Sequence, residues 1–500
     1  CNKENIDAIV VATVTEKPNL VMHWNGETIV DLERSFLDTN GVRVVVDAKV
    51  VDKDVKLPEE RTTSAESLET DLLALLSDLN HASQKGLQTI FDSSVGRSTV
   101  NHPLGGRYQI TPTEASVQKL PVQSGFTNTA SVIAQGFHPY LAEWSPYHGA
   151  AYAVIEATAR LVAAGGEWSK ARFSYQEYFE RMDKKAERFG QPVSALLGSI
   201  EAQIQLGLPS IGGKDSMSGT FEELTVPPTL VAFGVTTTDT RKVLSPEFKA
   251  VGEWIYYIPG SALSQEIDFE TVKANFTQFA SLQNEYAISA ASAVKYGGVL
   301  ESLALMSMGN RIGAKVKLTD LSTCLTGQLG GFIFTSTEEI PNVAKIGQTT
   351  QSFTVNVNNI DIDGQNLLNA FEGKLEAVYP TEFEQSKVLE DVPALVSDTV
   401  IKAKEKVVEP LVYIPVFPGT NSEYDSAKAF EAAGAKVNLV PFVTLDEAAI
   451  VKSVDIMVDN IDKANIIFFA GGFSAADEPD GSAKFIVNIL LNEKVKKAIN

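Results

Sequence analysis

Four segments near the end of the chain alternate apolar runs with a helix-like run: LVYIPVF (411–417), DSAKAFEAAG (425–434), AKVNLVPF (435–442) and NIIFFAGGF (465–473). The three apolar runs have strand length, and a polar helical segment separates the last two. Buried strands that alternate with helices are typical of a parallel, doubly wound sheet. Residues 410–500 are therefore predicted to form the first half of such an α/β domain.

The chain before this domain divides into segments of mixed pattern. Apolar residues near helical spacing predict one amphipathic helix over 64–91, and strand-like and helix-like runs alternate through 92–240 and 250–385. The run 8–14 is predicted as a strand and 285–295 as a helix. The predicted organisation is the end of a preceding domain at 1–60, a connecting helix at 61–91, an α/β domain at 92–240, an α+β domain at 241–385, a linker at 386–409 and a partial domain at 410–500.

Length, charge and cysteine content exclude several classes of protein. The 500 residues leave room for several domains, and 42 basic against 63 acidic residues give a formal charge of -21, which disfavours binding to nucleic acid. No apolar run has membrane-spanning length, and Cys1 and Cys324 cannot form a disulfide framework. Without a signal-like N-terminus, the expected compartment is the cytoplasm. Because the chain starts at Cys1 and stops at Asn500 directly after a helix-like run, we expect a fragment.

The segment 212–218, GGKDSMS, carries the residue types of a phosphate and metal site. Two glycines let the backbone approach a phosphate, Lys214 supplies a positive charge, Asp215 a carboxylate for Mg²⁺, and Ser216 a hydroxyl. The alternative is a capped surface loop with an ordinary Lys–Asp pair.

Arginine and histidine candidates come from two glycine-containing segments. Arg97 and Arg107, near the Gly105–Gly106 turn, could clamp a substrate phosphate, since guanidinium groups match phosphate oxygens, but exposed arginines are common. His102 and His148 could face a cleft, although a structural role is the stronger interpretation for each. His23 and His81 are expected to face solvent.

The longest motifs resemble one family, the formylglycinamide ribonucleotide amidotransferases, also called phosphoribosylformylglycinamidine synthases, in the large single-chain form of Bacteroides- and Clostridium-like bacteria. The segments that carry the resemblance are 26–43, 91–115, 143–166, 173–182, 211–221, 417–435 and 466–486. The resemblance implies a pair of domains like those of aminoimidazole ribonucleotide synthetase, followed by a truncated class I glutaminase-like domain. It implies ATP and Mg²⁺ as cofactors, and formylglycinamide ribonucleotide, glutamine or ammonia, and the rest of the same polypeptide as partners, without nucleic acid or membrane.

The same resemblance assigns roles to particular residues and also shows departures. It implies an oxyanion loop at Gly472 and Phe473, substrate or nucleotide contacts at Lys214, Asp215, Ser216 and His148, and metal binding at Asp215 and Glu156. Arg97 and Arg107 are added as substrate contacts on their chemistry alone. Arg160, however, replaces an amide four residues after Glu156, so the two could form a plain helical ion pair. No cysteine follows Cys324 and no histidine follows His148, so the glutaminase nucleophile and its base are absent.

Two functions follow as expectations. The first is part of an ATP-dependent carbon–nitrogen ligase of purine biosynthesis that uses glutamine as the amide donor. The second is a non-catalytic structural or regulatory half of such an assembly, whose nucleotide site has decayed.

Overall fold

A computed structural model describes residues 1, 3, 5–39, 45–51, 61–94, 98–122, 125–183, 185–381, 392–394, 396–397, 399, 406–472 and 482–500. The chain forms two compact units. The central unit comprises Val45–Pro121 and Thr127–Ser386, and the C-terminal unit comprises Cys1–Val44, Val122–Phe126 and Lys387–Asn500.

The strands of the described residues are, in chain order, β1 (Asn19–Trp24), β2 (Glu27–Glu33), β3 (Leu104–Gly105), β4 (Thr111–Pro112), β5 (Ser116–Lys119), β6 (Thr129–Gly136), β7 (Arg172–Tyr178), β8 (Ser210–Ser216), β9 (Thr220–Phe221), β10 (Leu224–Thr225), β11 (Thr229–Asp239), β12 (Trp254–Ile258), β13 (Ser261–Ala262), β14 (Ile288–Ala293), β15 (Gly313–Val316), β16 (Gln328–Leu329), β17 (Phe332–Ser336), β18 (Ala344–Thr350), β19 (Thr354–Val357), β20 (Ile360–Asp363), β21 (Leu411–Val416), β22 (Lys436–Pro441) and β23 (Ile466–Ile467). The α-helices are α1 (Arg34–Leu37), α2 (Leu68–Leu76), α3 (Lys85–Gln88), α4 (Pro139–Trp144), α5 (Pro146–Ala163), α6 (Ala186–Leu206), α7 (Phe269–Glu285), α8 (Gly298–Met308), α9 (Gly364–Gly373), α10 (Glu423–Ala432), α11 (Glu447–Lys463), α12 (Ser482–Leu490) and α13 (Glu493–Ile499).

A five-stranded sheet in the central unit has the order β5-β6-β11-β7-β8. Its neighbours pair antiparallel except β7 and β8, which are parallel and are connected through α6. Alternate residues of β6 and β11 are buried where α5 packs against the sheet, whereas Ile133, Tyr178 and Val235 on the opposite face are exposed. The sheet therefore has a helix-covered inner face and an open outer face.

The second sheet of the central unit has the order β14-β17-β12-β18-β15-β19-β20. Phenylalanines on α7 and β17 stack in its core, with Phe279 and Phe332 ring centroids 4.6 Å apart. Leucines of α2 are buried in a second cluster with residues of α8 and α9. Helix α2 is thus part of this core and does not stand free.

The C-terminal unit contains a three-stranded sheet of order β22-β21-β23, in which both pairs are parallel. The apolar side chains of β21 are buried because helices cover both faces, with Tyr413 and Ile414 in separate clusters. Together with the two mixed sheets of the central unit, this sheet confirms the predicted mixed α/β fold class. The domain boundaries drawn from the sequence stay predictions.

Three local predictions are wrong. The helix predicted over 64–91 is interrupted between α2 and α3, because the Asp78 carboxylate accepts a hydrogen bond from the Asn80 N–H and stabilises a turn. The helix predicted over 285–295 is instead strand β14, whose pairing with β17 outweighs the helix propensity of its alanines. The predicted strand at 8–14 has no sheet partner and is exposed.

Most of the predicted linker, 386–409, lies outside the described residues. Among the described helices, none is long and apolar enough to cross a bilayer.

Candidate functional site

The predicted phosphate and metal segment is a strand and not a loop. Residues 210–216 form β8, an edge strand that pairs in parallel with β7. Because side chains alternate along a strand, Lys214 and Ser216 share the outer face, and Asp215 lies on the inner face. The Lys214 ammonium bonds to the Ser216 hydroxyl and lies 5.9 Å from the centre of the Tyr178 ring. The structure thus separates Lys214 from Asp215.

Glu177 is a functional candidate that the sequence interpretation missed. It is opposite Asp215 in the β7–β8 register, it is 1% exposed, and neither carboxylate oxygen has a hydrogen-bond partner in the described residues. Burial, together with the adjacent Asp215 carboxylate, raises the pKa of Glu177 to about 8. A signal was present, since Glu177 occupies the buried phase of the alternation set by Phe173 and Tyr175.

A groove of 390 Å³ lies over the outer face of the same sheet. Its lining includes Arg160 and also Gln135 and Phe233, which are opposite each other in the β6–β11 register. The Asp92 and Glu114 carboxylates also line the groove, so its lining carries charges of both signs.

A group of charges surrounds Arg160, and its Glu114 also lines the groove. The Glu114 carboxylate lies 3.4 Å from Arg160 and 3.2 Å from Lys295, and it accepts a hydrogen bond of 2.8 Å from Ser292. Glu156 is 3.9 Å from Arg160 on the same helix. Burial raises the pKa of Glu156, although Arg160 and Lys295 oppose this shift. Two carboxylates and two cations therefore compensate each other.

These contacts bear on the expected metal ion. At Glu156, the neighbouring Arg160 and Lys295 already supply positive charge and would repel a divalent cation, so this cluster does not fit a metal. Asp215 is exposed and has the unpartnered Glu177 beside it, so this pair does fit Mg²⁺, which takes one or two protein carboxylates. In the part of the chain that the structure describes, no three His, Cys, Asp or Glu residues are grouped as metal ligands.

His81 is buried, which corrects the expectation that it faces solvent. Its Nδ1 lies 2.5 Å from a Glu301 carboxylate oxygen, and the two side chains are 4% and 7% exposed. Burial lowers the pKa of His81, but the Glu301 carboxylate outweighs burial, so the net pKa of His81 is raised. Burial raises the pKa of Glu301, but the charge and hydrogen bond of His81 outweigh burial, so the net pKa of Glu301 is lowered. Both residues line an open cavity of 490 Å³ that also includes His138 and Tyr296, whose rings stack 3.8 Å apart. Burial lowers the pKa of His138 to about 4.

The remaining predicted residues of the central unit lie apart from these groups. His148 is in the first turn of α5, where its Nδ1 is 2.9 Å from the Ser145 hydroxyl and its ring is 4.8 Å from Trp144. These contacts support the structural interpretation of His148. Arg107 is exposed, and its backbone N–H donates to Asn310 at 2.7 Å; within the described chain no hydrogen bond or ion pair connects it to 214–216. Arg97 lies outside the described residues.

The predicted oxyanion turn lies in the C-terminal unit. The Asn421 N–H donates to the Gly471 carbonyl at 2.8 Å, which joins the turns that follow β21 and β23. A Cβ on Gly472 would lie 2.2 Å from the Gly419 carbonyl oxygen, so only glycine fits there. Phe473 lies outside the described residues, and the oxyanion role of both residues stays a prediction. Ser422 is at the N-cap of α10, but its side chain makes no capping bond.

Comparison with known proteins identifies two parts of the chain. Residues 409–500 match a family described as a CobB/CobQ-like glutamine amidotransferase domain. Together with the parallel sheet, this match defines the C-terminal part as an amidotransferase-type domain.

The rest of the relationship comes from curated sequences. The chain is 26% identical over 352 residues to the phosphoribosylformylglycinamidine synthase subunit PurL of Picrophilus torridus, covering 66% of this chain and 45% of that protein. It is 27% identical over 378 residues to PurL of Pyrobaculum calidifontis, covering 69% and 50%. The chain is therefore similar to phosphoribosylformylglycinamidine synthase subunits, as the sequence motifs predicted, and the large single-chain form stays a prediction. It spans about half the length of these relatives.

Solved structures of the same subunit also match. Thermotoga maritima PurL complexed with FGAR superposes with a TM-score of 0.47 at 13% identity, covering 68% of this chain and 57% of that one. The complex of the same protein with ATP gives a TM-score of 0.47 at 14% identity, covering 68% and 56%.

Proposed function

We propose that this chain is part of an ATP-dependent carbon–nitrogen ligase that converts formylglycinamide ribonucleotide and glutamine into formylglycinamidine ribonucleotide. The observation that carries the proposal is the presence of PurL-like sequence and a glutamine amidotransferase domain in one polypeptide. The single-chain arrangement and a cytoplasmic location are parts of the same proposal.

The proposed reaction has two steps. The amide oxygen of formylglycinamide ribonucleotide takes the γ-phosphoryl group of ATP, and ADP leaves. Ammonia then attacks the activated carbon, and phosphate departs with the oxygen, which leaves the amidine. Mg²⁺, when bound, neutralises phosphate charge during the first step.

Residues of the central unit have roles in this proposal. Lys214 and Ser216 project from the open outer face of the sheet, where a cation and a hydroxyl would bind phosphate oxygens. The groove over that face, which Arg160 also lines, is the proposed place of the substrate's polar groups. Arg107 and Arg97 stay candidate phosphate ligands, and His148 a candidate nucleotide contact.

A genetic and a biochemical experiment test the function together. The gene product that contains this chain is expressed in a bacterium that lacks its own synthase and requires purines. Growth without purines is expected, as is ADP formation by the purified protein that depends on both formylglycinamide ribonucleotide and ammonia. Failure of growth together with substrate-independent ADP formation would contradict the proposal.

The second candidate is a structural or regulatory half with a decayed nucleotide site. It is favoured by the cluster of Glu114, Arg160 and Lys295, because Arg160 and Lys295 form ion pairs with the Glu114 carboxylate where a metal ion would otherwise bind. Substitutions on the outer face of the sheet, such as Lys214→Ala, would leave ligation unchanged if this candidate is correct.

A further inference from the structure

The carboxylate of Glu177 lacks any compensation within the described residues. It is on the inner face of β7, 1% exposed, with no hydrogen-bond donor at either oxygen. An unpartnered carboxylate is costly to bury and takes up either a proton or a cation.

Asp215 adds a second carboxylate to the same place. The two residues are opposite each other on adjacent parallel strands, and the Asp215 carboxylate contributes to the raised pKa of Glu177. Unlike Glu177, Asp215 is exposed, so the pair can be reached from solvent. Two carboxylates in contact repel each other until positive charge is placed between them.

Two cations of the adjoining elements, Lys214 in β8 and Arg188 in α6, are bonded to other groups. Lys214 is on the opposite face of β8 and is bonded to Ser216. Arg188, in the first turn of α6, is held 3.0 Å from Glu180 and also by Asp183. The arrangement thus differs from the Glu114 cluster, where arginine and lysine are in contact with the carboxylates.

We propose that Glu177 and Asp215 together bind one divalent cation of the Mg²⁺ class at the β7–β8 edge of the sheet. Mg²⁺ is held by one or two carboxylates and keeps several waters, which suits a pair of carboxylates with one open side. Water or phosphate oxygens complete the coordination. The link to phosphoryl transfer rests on the proposed function, but binding of the cation does not.

The test measures cation binding by the 500-residue chain without nucleotide or substrate. Mn²⁺ is the probe, its free concentration is followed by electron paramagnetic resonance, and Mg²⁺ is added as the competitor. The wild-type chain is expected to bind one Mn²⁺ that Mg²⁺ displaces. Glu177→Gln and Asp215→Asn should each weaken this binding about tenfold or more.

Glu143→Gln, on the exposed side of α4, is the matched control and should bind like the wild type. Glu177→Gln keeps the size of the side chain, and Asp215→Asn changes an exposed residue, so at least one variant should fold; circular dichroism checks both. Equal binding by all four proteins would place the cation elsewhere, and no Mn²⁺ binding by the wild type would overturn the site. Neither result depends on the ligase assay, so each proposal can fail alone.

Discussion

At the scale of single residues, Lys214 shows that a strand conformation separates side chains that are adjacent in a sequence motif. The pattern GGKDSMS suggested that Lys214 and Asp215 act on one ligand from a loop. In β8 they face opposite sides of the sheet, so Lys214 is available to a phosphate over the outer face, and Asp215 pairs with Glu177. The roles proposed for Lys214 and Asp215 therefore stay predictions, at two separate places on the sheet.

We therefore predict that Lys214→Ala in the complete gene product lowers ammonia-dependent ligation by about 10²-fold, because a charge clamp that strengthens in the transition state is lost. The side chain is exposed, so the substitution should change the free energy of unfolding by less than about 0.5 kcal/mol and leave the melting temperature nearly unchanged. Turnover and thermal melting are measured on the same preparation. Lys170→Ala, at another exposed lysine, is the control; wild-type turnover in Lys214→Ala would leave only a surface role for this residue.

The buried His81–Glu301 pair predicts a pH dependence of stability. Since the folded-state pKa of His81 is raised, its stabilising contribution is complete below the usual histidine pKa and is lost as pH rises through the raised value. The pKa of Glu301 is lowered, so its contribution is present above the usual glutamate pKa and is lost as pH falls through the lowered value. The pair stabilises most between about pH 4.5 and 6.5.

His81→Gln should lower the free energy of unfolding by roughly 3 kcal/mol near pH 6, because it leaves the buried Glu301 carboxylate without its partner. This loss should become smaller as pH rises past the raised pKa of His81. Urea unfolding of wild type and variant across this range gives the difference, and the double variant His81→Gln/Glu301→Gln tests whether the two side chains are coupled. A cost that does not change with pH would contradict an ionic pair.

At the scale of elements, the contact between α5 and α6 depends on Gly198. A Cβ on this glycine would lie 1.9 Å from the carbonyl oxygen of Tyr147 in α5, so the backbones would have to separate. Gly198→Ala is expected to destabilise the central unit by about 1–3 kcal/mol, although alanine is the better helix former. Gly373→Ala, at the exposed end of α9 with nothing within 4 Å, should be neutral or stabilising. Denaturant unfolding compares the two, and equal effects would contradict the close crossing.

Elements with a strong local sequence pattern could be predicted. Elements whose conformation depends on pairing with a distant strand could not. The run WIYYI at 254–258 predicts a strand from its apolar and aromatic residues alone, and strand β12 has the same bounds. In contrast, the alanine- and serine-rich segment of β14 has no strand signal of its own, and β17 imposes its conformation. Tertiary pairing overrides weak propensity in such segments.

At the scale of the whole molecule, we predict that the 500-residue chain releases no ammonia from glutamine above background. The thiol of Cys324 is buried, and burial raises its pKa to about 12, so it is not a nucleophile at neutral pH. Residues 409–500, which match the amidotransferase family, contain no cysteine and no histidine. A coupled assay for ammonia is the measurement, with a known glutaminase as the positive control. Glutamine hydrolysis abolished by Cys324→Ser would contradict this account.

The sequence by itself determined the alternation of strands and helices in 411–467, the resemblance to the synthase family and the absence of cysteine and histidine from 409–500, because these depend on local pattern and residue identity. Only the tertiary structure decided which charges meet. The β7–β8 register brings Glu177 to Asp215 and turns Lys214 away, and packing places His81 against Glu301, 220 residues later in the chain. Such contacts depend on strand register and helix packing over long separations, and no local periodicity carries that information.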